Sequence, residues 1–214
     1  MKCIRRQIRL LSCGLLLAGI AGASSSVLAA NTNNNYRQSG DSVDATWYTS
    51  DSCTSTYVYV SASNNVTTGS TPSQQVYFNS QQNNFCTGAW TFTNGYGPGG
   101  IQLSAQGGRS ANLVGSIPTS ECGWDISTYS YICTNGVVDF NLNWSATENP
   151  SRSRYTTSNH SPSGIYQYRS VGTSAPALAT GTIKQNGAVD LISGSSQYGA
   201  IVTSDNATIS ISRR

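Results

Sequence analysis

Tyrosines at alternate positions are the side chains of this sequence best suited to touch a ligand. Tyr57 and Tyr59 alternate with Val58 and Val60, Tyr77 stands between Val76 and Phe78, and Tyr166 and Tyr168 flank Gln167. On a strand, alternate side chains go to one face, so valines turned toward a core leave these rings together on the other. Flat outward rings can stack on sugar faces while neighbouring Asn and Gln amides bond the hydroxyls. The same pattern also serves a sheet without any ligand, because aromatic residues favour strands and pair across them. A second group, Arg152 and Arg154 with Tyr155 and His160, gathers positive character and could meet an anionic glycan or a partner's carboxylates.

Catalytic patterns are weaker. No Gly-x-Ser-x-Gly elbow is present, and the single histidine, His160, would have to act alone as base. The run from Gly95 to Gly100 lacks the lysine and the following helix that a phosphate loop needs. Glycoside hydrolysis requires two carboxyl groups across a cleft, and the candidates are Glu121, Asp139 and Glu148. None sits in a recognisable glycosidase motif. Asp41, Asp44 and Asp51 lie close in sequence, yet their spacing fits no EF-hand loop. The reading therefore assigns no catalytic residue, no metal ligand and no cofactor, and keeps a carboxylate-dependent carbohydrate hydrolase as the alternative.

Six cysteines are present, and two of them, Cys3 and Cys13, fall in an apparent export signal. The remaining four, Cys53, Cys86, Cys122 and Cys133, allow three pairings. Loop closure and strand adjacency favour Cys53 with Cys86 and Cys122 with Cys133. Zinc is the poorer account, since no Cys-x-x-Cys pair occurs and there is one histidine.

Residues 1–30 read as a signal peptide, with four bases before an apolar run and small residues at Ala29-Ala30. The chain has 12 Lys and Arg against 9 Asp and Glu. Removing Lys2, Arg5, Arg6 and Arg9 with the signal leaves eight bases, so the mature protein is close to neutral. That balance argues against a nucleic-acid binder and a polybasic membrane binder. Export to the periplasm or the cell exterior is expected.

The elements that must position these residues are strands. Val138, Phe140, Leu142 and Trp144 alternate with Asp139, Asn141 and Asn143, the pattern of a strand with one face in a core. Similar alternation covers Ala45-Trp47, Val58-Val60, Val76-Phe78, Trp90-Phe92, Ile101-Leu103 and Ile209-Ile211, with turn residues between. Residues 31–39 are expected to be a flexible Asn-rich leader, and residues 40–214 a single all-β domain with a long polar loop at 145–164. The predicted architecture is an antiparallel two-sheet sandwich, jelly-roll or immunoglobulin-like in character, with two disulfides. A closed β-barrel is the alternative. An outer-membrane barrel is disfavoured because the outward positions are Asn, Ser, Thr and Tyr and not a lipid-facing apolar band.

Several short motifs, Gly40-Asp41 with Ala45-x-Trp47, Cys53, Cys86-Thr87-Gly88, Leu142-x-Trp144, Arg169-Ser170-x-Gly172 and Ala179-Thr180-Gly181-Thr182, stand together in one chain. In these the sequence resembles a broad group of small secreted bacterial β-rich proteins that have no assigned activity. The resemblance implies a secreted β domain and carries over no functional residue. The expected role is a non-enzymatic surface, matrix or glycan-associated module contacting a polysaccharide or cell-surface component. An envelope or assembly component pairing through sheet edges is a further alternative.

Overall fold

The computed structural model describes residues 33–98, 102–162, 164–187 and 189–212, which form one antiparallel sheet of eleven strands. The expected signal peptide lies outside the described residues. The strands are β1 (Asn33–Ser50), β2 (Thr54–Thr67), β3 (Ser73–Asn84), β4 (Trp90–Gly97), β5 (Gln102–Gln106) and β6 (Ser110–Asp125). They continue as β7 (Ser130–Ala146), β8 (Ser151–Ser161), β9 (Gly164–Gln185), β10 (Val189–Asp190) and β11 (Tyr198–Ser212).

Alternation in the sequence becomes a division between two faces. Val43, Ala45 and Trp47 of β1, Val58 and Val60 of β2, Val76 and Phe78 of β3, and Val138 to Trp144 at alternate positions of β7 are all buried. Ala177, Ala179 and Ile183 of β9 and Ile201 of β11 join the same core. Hydrogen-bonded neighbours run β9, β11, β1, β2, β3, β4, β6, β7, and β7 then pairs with β9 again, so the path of pairings returns to its start. Strands far apart on that path meet across the core: the Phe78 and Phe140 rings stand 5.8 Å apart, edge to face. Trp144 Nε1 donates to the Asp44 carbonyl at 2.8 Å, tying β7 to β1. Gly181, at φ +130°, lets β9 pass close to β7, where a Cβ would collide with the Asn141 carbonyl oxygen.

β9 is long enough to serve two neighbourhoods. Its second half, Ala177–Gln185, pairs with β7 inside the body. Its first half pairs with β8 on one side and β11 on the other, and β11 pairs in turn with the start of β1. These segments extend the sheet beyond the core, and β8 is exposed at every position except Thr157.

Two sequence expectations are corrected here. Of the flexible leader expected at 31–39, residues 33–38 belong to β1 and pair with β11, and Ser39 pairs with Val66 of β2. The expected polar loop at 145–164 instead holds the end of β7, a short connection and the eleven residues of β8. Both segments lack apolar alternation because neither face of the extension meets the core, so the usual strand signal is missing. Cys53–Cys86 and Cys122–Cys133 are the two disulfides, as expected. Bridges of this kind fit an oxidising extracellular or periplasmic setting. Among the described residues, no helix is long and apolar enough to cross a membrane.

Candidate functional site

Directly opposed residues in antiparallel strands share a face, so the register converts the chain into rows of outward side chains. One row crosses β3, β4, β6 and β7 as Asn83, Trp90, Trp124 and Tyr131. Its rings are 37%, 38% and 55% exposed for Trp90, Trp124 and Tyr131, and the Trp90 and Tyr131 centroids are 5.7 Å apart. The adjacent row crosses six strands as Tyr48, Tyr57, Gln81, Phe92, Cys122 and Cys133. A third carries Thr46, Tyr59, Asn79, Asn94, Ser120 and Asn135, and a fourth Ser61, Tyr77 and Tyr96. Tyr59 and Tyr77 lean together at 6.0 Å. With strands about 4.8 Å apart, six strands span about 24 Å. The outcome is a broad outer face of exposed or half-exposed rings interspersed with amides and hydroxyls. A groove of about 280 Å³ beside Trp90 is lined by Thr54, Thr56, Gln82, Asn83 and Thr91.

The structure thus brings Tyr57, Tyr59 and Tyr77 together, and adds Tyr48, Tyr96, Phe92, Trp90, Trp124 and Tyr131, which the sequence reading did not assign. Tyr166 and Tyr168 lie elsewhere, on the outer face of the extension. There Thr157, Tyr168, Ile209 and Tyr36 form one row and Asn159, Tyr166 and Ile211 the next. Tyr155 packs 6.0 Å from Tyr168. Arg152 and Arg154 occupy β8 positions of the opposite parity to Tyr155, so they stand on the other face from Tyr166 and Tyr168. The tyrosines and arginines of this segment therefore cannot line one common site.

The carboxylates do not assemble into an acid pair. Glu121 shares the inward parity of Leu113 and Ile117 on β6 and accepts a hydrogen bond from the Gln185 amide. Asp139 is on the outer face of β7, where Ser116 Oγ donates to it at 2.5 Å. Two groups on opposite faces of a sheet cannot flank one glycosidic bond. Glu148 follows the end of β7 and is exposed. The three N-terminal aspartates are likewise dispersed. Asp41 shares the core parity of Val43, while Asp44 is on the outer parity, where partial burial raises its pKa by desolvation. Asp51 caps the turn before β2, accepting from the Cys53 and Thr54 amides at 2.8 and 2.6 Å and from the Thr54 hydroxyl. Those bonds hold its pKa below the ordinary carboxylate value. Asp125 does the same in the β6–β7 turn, where bonds from the Ser127 and Thr128 hydroxyls and the Ser127 amide lower its pKa.

No protein-family model matches this chain, and neither a curated protein nor a solved structure matches it.

Proposed function

We propose that the protein is an exported, non-enzymatic module that binds polysaccharide or a glycan-bearing surface through the outer face of β1, β2, β3, β4, β6 and β7. The observation that carries the reading is the exposed row Trp90, Trp124 and Tyr131, set beside the tyrosines of the neighbouring rows. Rings held by a hydrogen-bonded sheet lose little conformational freedom on contact, which favours stacking on a flat sugar face. Export follows from the signal-like N-terminus and suits the two disulfides. For the architecture we infer a sandwich-like closed sheet, supported by the returning path of pairings and by the Phe78–Phe140 contact across the core.

The test is retention of the oxidised, signal-free protein on insoluble polysaccharides and cell-wall preparations, with the supernatant assayed for reducing ends. Retention without release is expected. Trp90→Ala and Tyr57→Ala should each weaken it roughly two- to tenfold, the equivalent of about 0.5 to 1.5 kcal/mol per stacked ring. Release of sugar ends would replace this reading with the hydrolase. A second reading, an assembly component, is favoured by β8, which pairs only with β9 among the described strands and so presents an open edge. Sedimentation at rising concentration separates the two, since assembly through that edge predicts oligomers without any glycan.

A further inference from the structure

A chain expected to be nearly neutral once its signal is removed can still concentrate charge, and the register of the extension does so. Arg152 and Arg154 share one face of β8. Thr156 on that face opposes Arg169 of β9, Arg169 opposes Thr208 of β11, and Thr208 opposes Arg37 of β1. Four arginines, separated by up to 132 residues in sequence between Arg37 and Arg169, therefore stand on one face of a four-stranded segment. All four are exposed. His160 lies on the same face of β8. Asp41 also has this parity: it opposes Thr203 in the row that runs on through Thr173 to Arg152, three strands away from that arginine and two rows from Arg37, where the segment joins the core. The sheet spacings put Arg152 and Arg154 about 6.8 Å apart along β8, and Arg169 and Arg37 about 9.6 Å apart across two strand gaps.

From this placement we infer that the arginine face of the extension is a second binding site, taking an anionic polysaccharide with carboxylate groups along its chain. Charges distributed over about 10 Å in two directions suit a polymer carrying repeated anions better than one small anion. Guanidinium groups match carboxylates in paired hydrogen bonds, whereas among the described residues this face carries no Tyr, Trp or Phe for stacking nucleobases, its one ring being the His160 imidazole at the far end of β8. The site faces away from the tyrosines of the extension and lies apart from the Trp90 face, so it stands or falls independently of the function proposed above.

The experiment measures affinity for soluble polygalacturonate across salt, with neutral dextran and single-stranded oligo-dT as comparison ligands. Four arginine contacts, at a slope of about 0.7 each, predict a roughly 50-fold loss of affinity for a fourfold rise in salt. In the double variant Arg152→Gln/Arg154→Gln that dependence should shrink to roughly sevenfold. Arg37→Gln/Arg169→Gln should act alike, although these residues lie on different strands, while Tyr166→Ala on the opposite face should leave the slope unchanged. Since all five positions are exposed, thermal unfolding of each variant should stay close to that of the parent. Absence of binding to polygalacturonate, or a salt slope insensitive to both arginine pairs, would overturn the inference. Equal or tighter binding to oligo-dT would overturn its glycan assignment and replace it with a nucleic-acid surface. Loss of binding in Trp90→Ala alone would move the anionic ligand to the other face.

Discussion

The two disulfides are expected to contribute unequally to stability, and the difference follows from the loops they close. Cys53 and Cys86 join the open end of the β2–β3 hairpin across 33 residues. Cys122 and Cys133 are directly opposed on β6 and β7 and close only 11 residues. In the chain-entropy account, the first bridge removes about 12.5 cal/mol/K from the unfolded ensemble and the second about 9.3, equivalent to about 3.7 and 2.8 kcal/mol at 25 °C. Cys53→Ser/Cys86→Ser should therefore cost about 1 kcal/mol more than Cys122→Ser/Cys133→Ser. Urea unfolding of the oxidised parent and both double variants, followed by the fluorescence of the buried Trp47 and Trp144, measures the two losses directly. A larger loss from the shorter loop would refute the reasoning, and would show that the second bridge acts on the native sheet and not on the unfolded chain. A shared slope on denaturant concentration in all three proteins is needed for the comparison, and a change in slope would itself point to altered residual structure.

Other outcomes follow from single sites. Phe78→Ala removes a fully buried ring packed against Phe140 and should cost about 3 to 5 kcal/mol by the same unfolding assay. Gly181→Ala places a methyl against the Asn141 carbonyl at a positive φ, so it should cost more than about 1 kcal/mol, and a neutral result would contradict the close passage of β9 and β7. Asp51 and Asp125 have lowered pKa values, so their contribution is complete above the ordinary carboxylate range and fades as pH falls through the lowered values. Urea midpoints measured from pH 7 to pH 2 should fall less steeply in Asp51→Asn than in the parent. Asp44 has the opposite sign: its raised pKa means the ionised form is disfavoured in the folded state, so Asp44→Asn should raise the midpoint at pH 7.

The core was legible because burial imposes period 2. Val138, Phe140, Leu142 and Trp144 announce an inner face before any pairing is known, and each is buried. The bridges were legible too, because four mature cysteines at these spacings favour one pairing by loop closure. The functional faces were only partly so. Tyr57 and Tyr59 could be grouped because they share a strand, but Trp90, Trp124 and Tyr131 meet only through the registers of β4 with β6 and β6 with β7. Register depends on partners that a single strand's sequence does not name. The same limit grouped Arg152 and Arg154 with Tyr155, although strand parity sends the tyrosine to the opposite face. It also concealed Arg37 and Arg169, whose proximity comes from β1 and β9 flanking β11. β8 was missed for a different reason, since a strand exposed on both sides has no apolar rhythm to read.

The division of β9 sets up a gradient of local stability along one continuous backbone. From Ala177 to Ile183 its amides lie in a ladder packed over the core, whereas from Tyr166 to Val171 the same strand carries only exposed and half-buried residues. Hydrogen exchange should therefore be slow in the former stretch and faster in the latter, with opening free energies rising stepwise toward Ala177. Such a segment would act as a semi-independent flap whose ordering is driven by whatever settles on it. A ligand on its arginine face would then slow exchange in β8 and the first half of β9 while leaving the second half unchanged, a signature readable without knowing the ligand's structure.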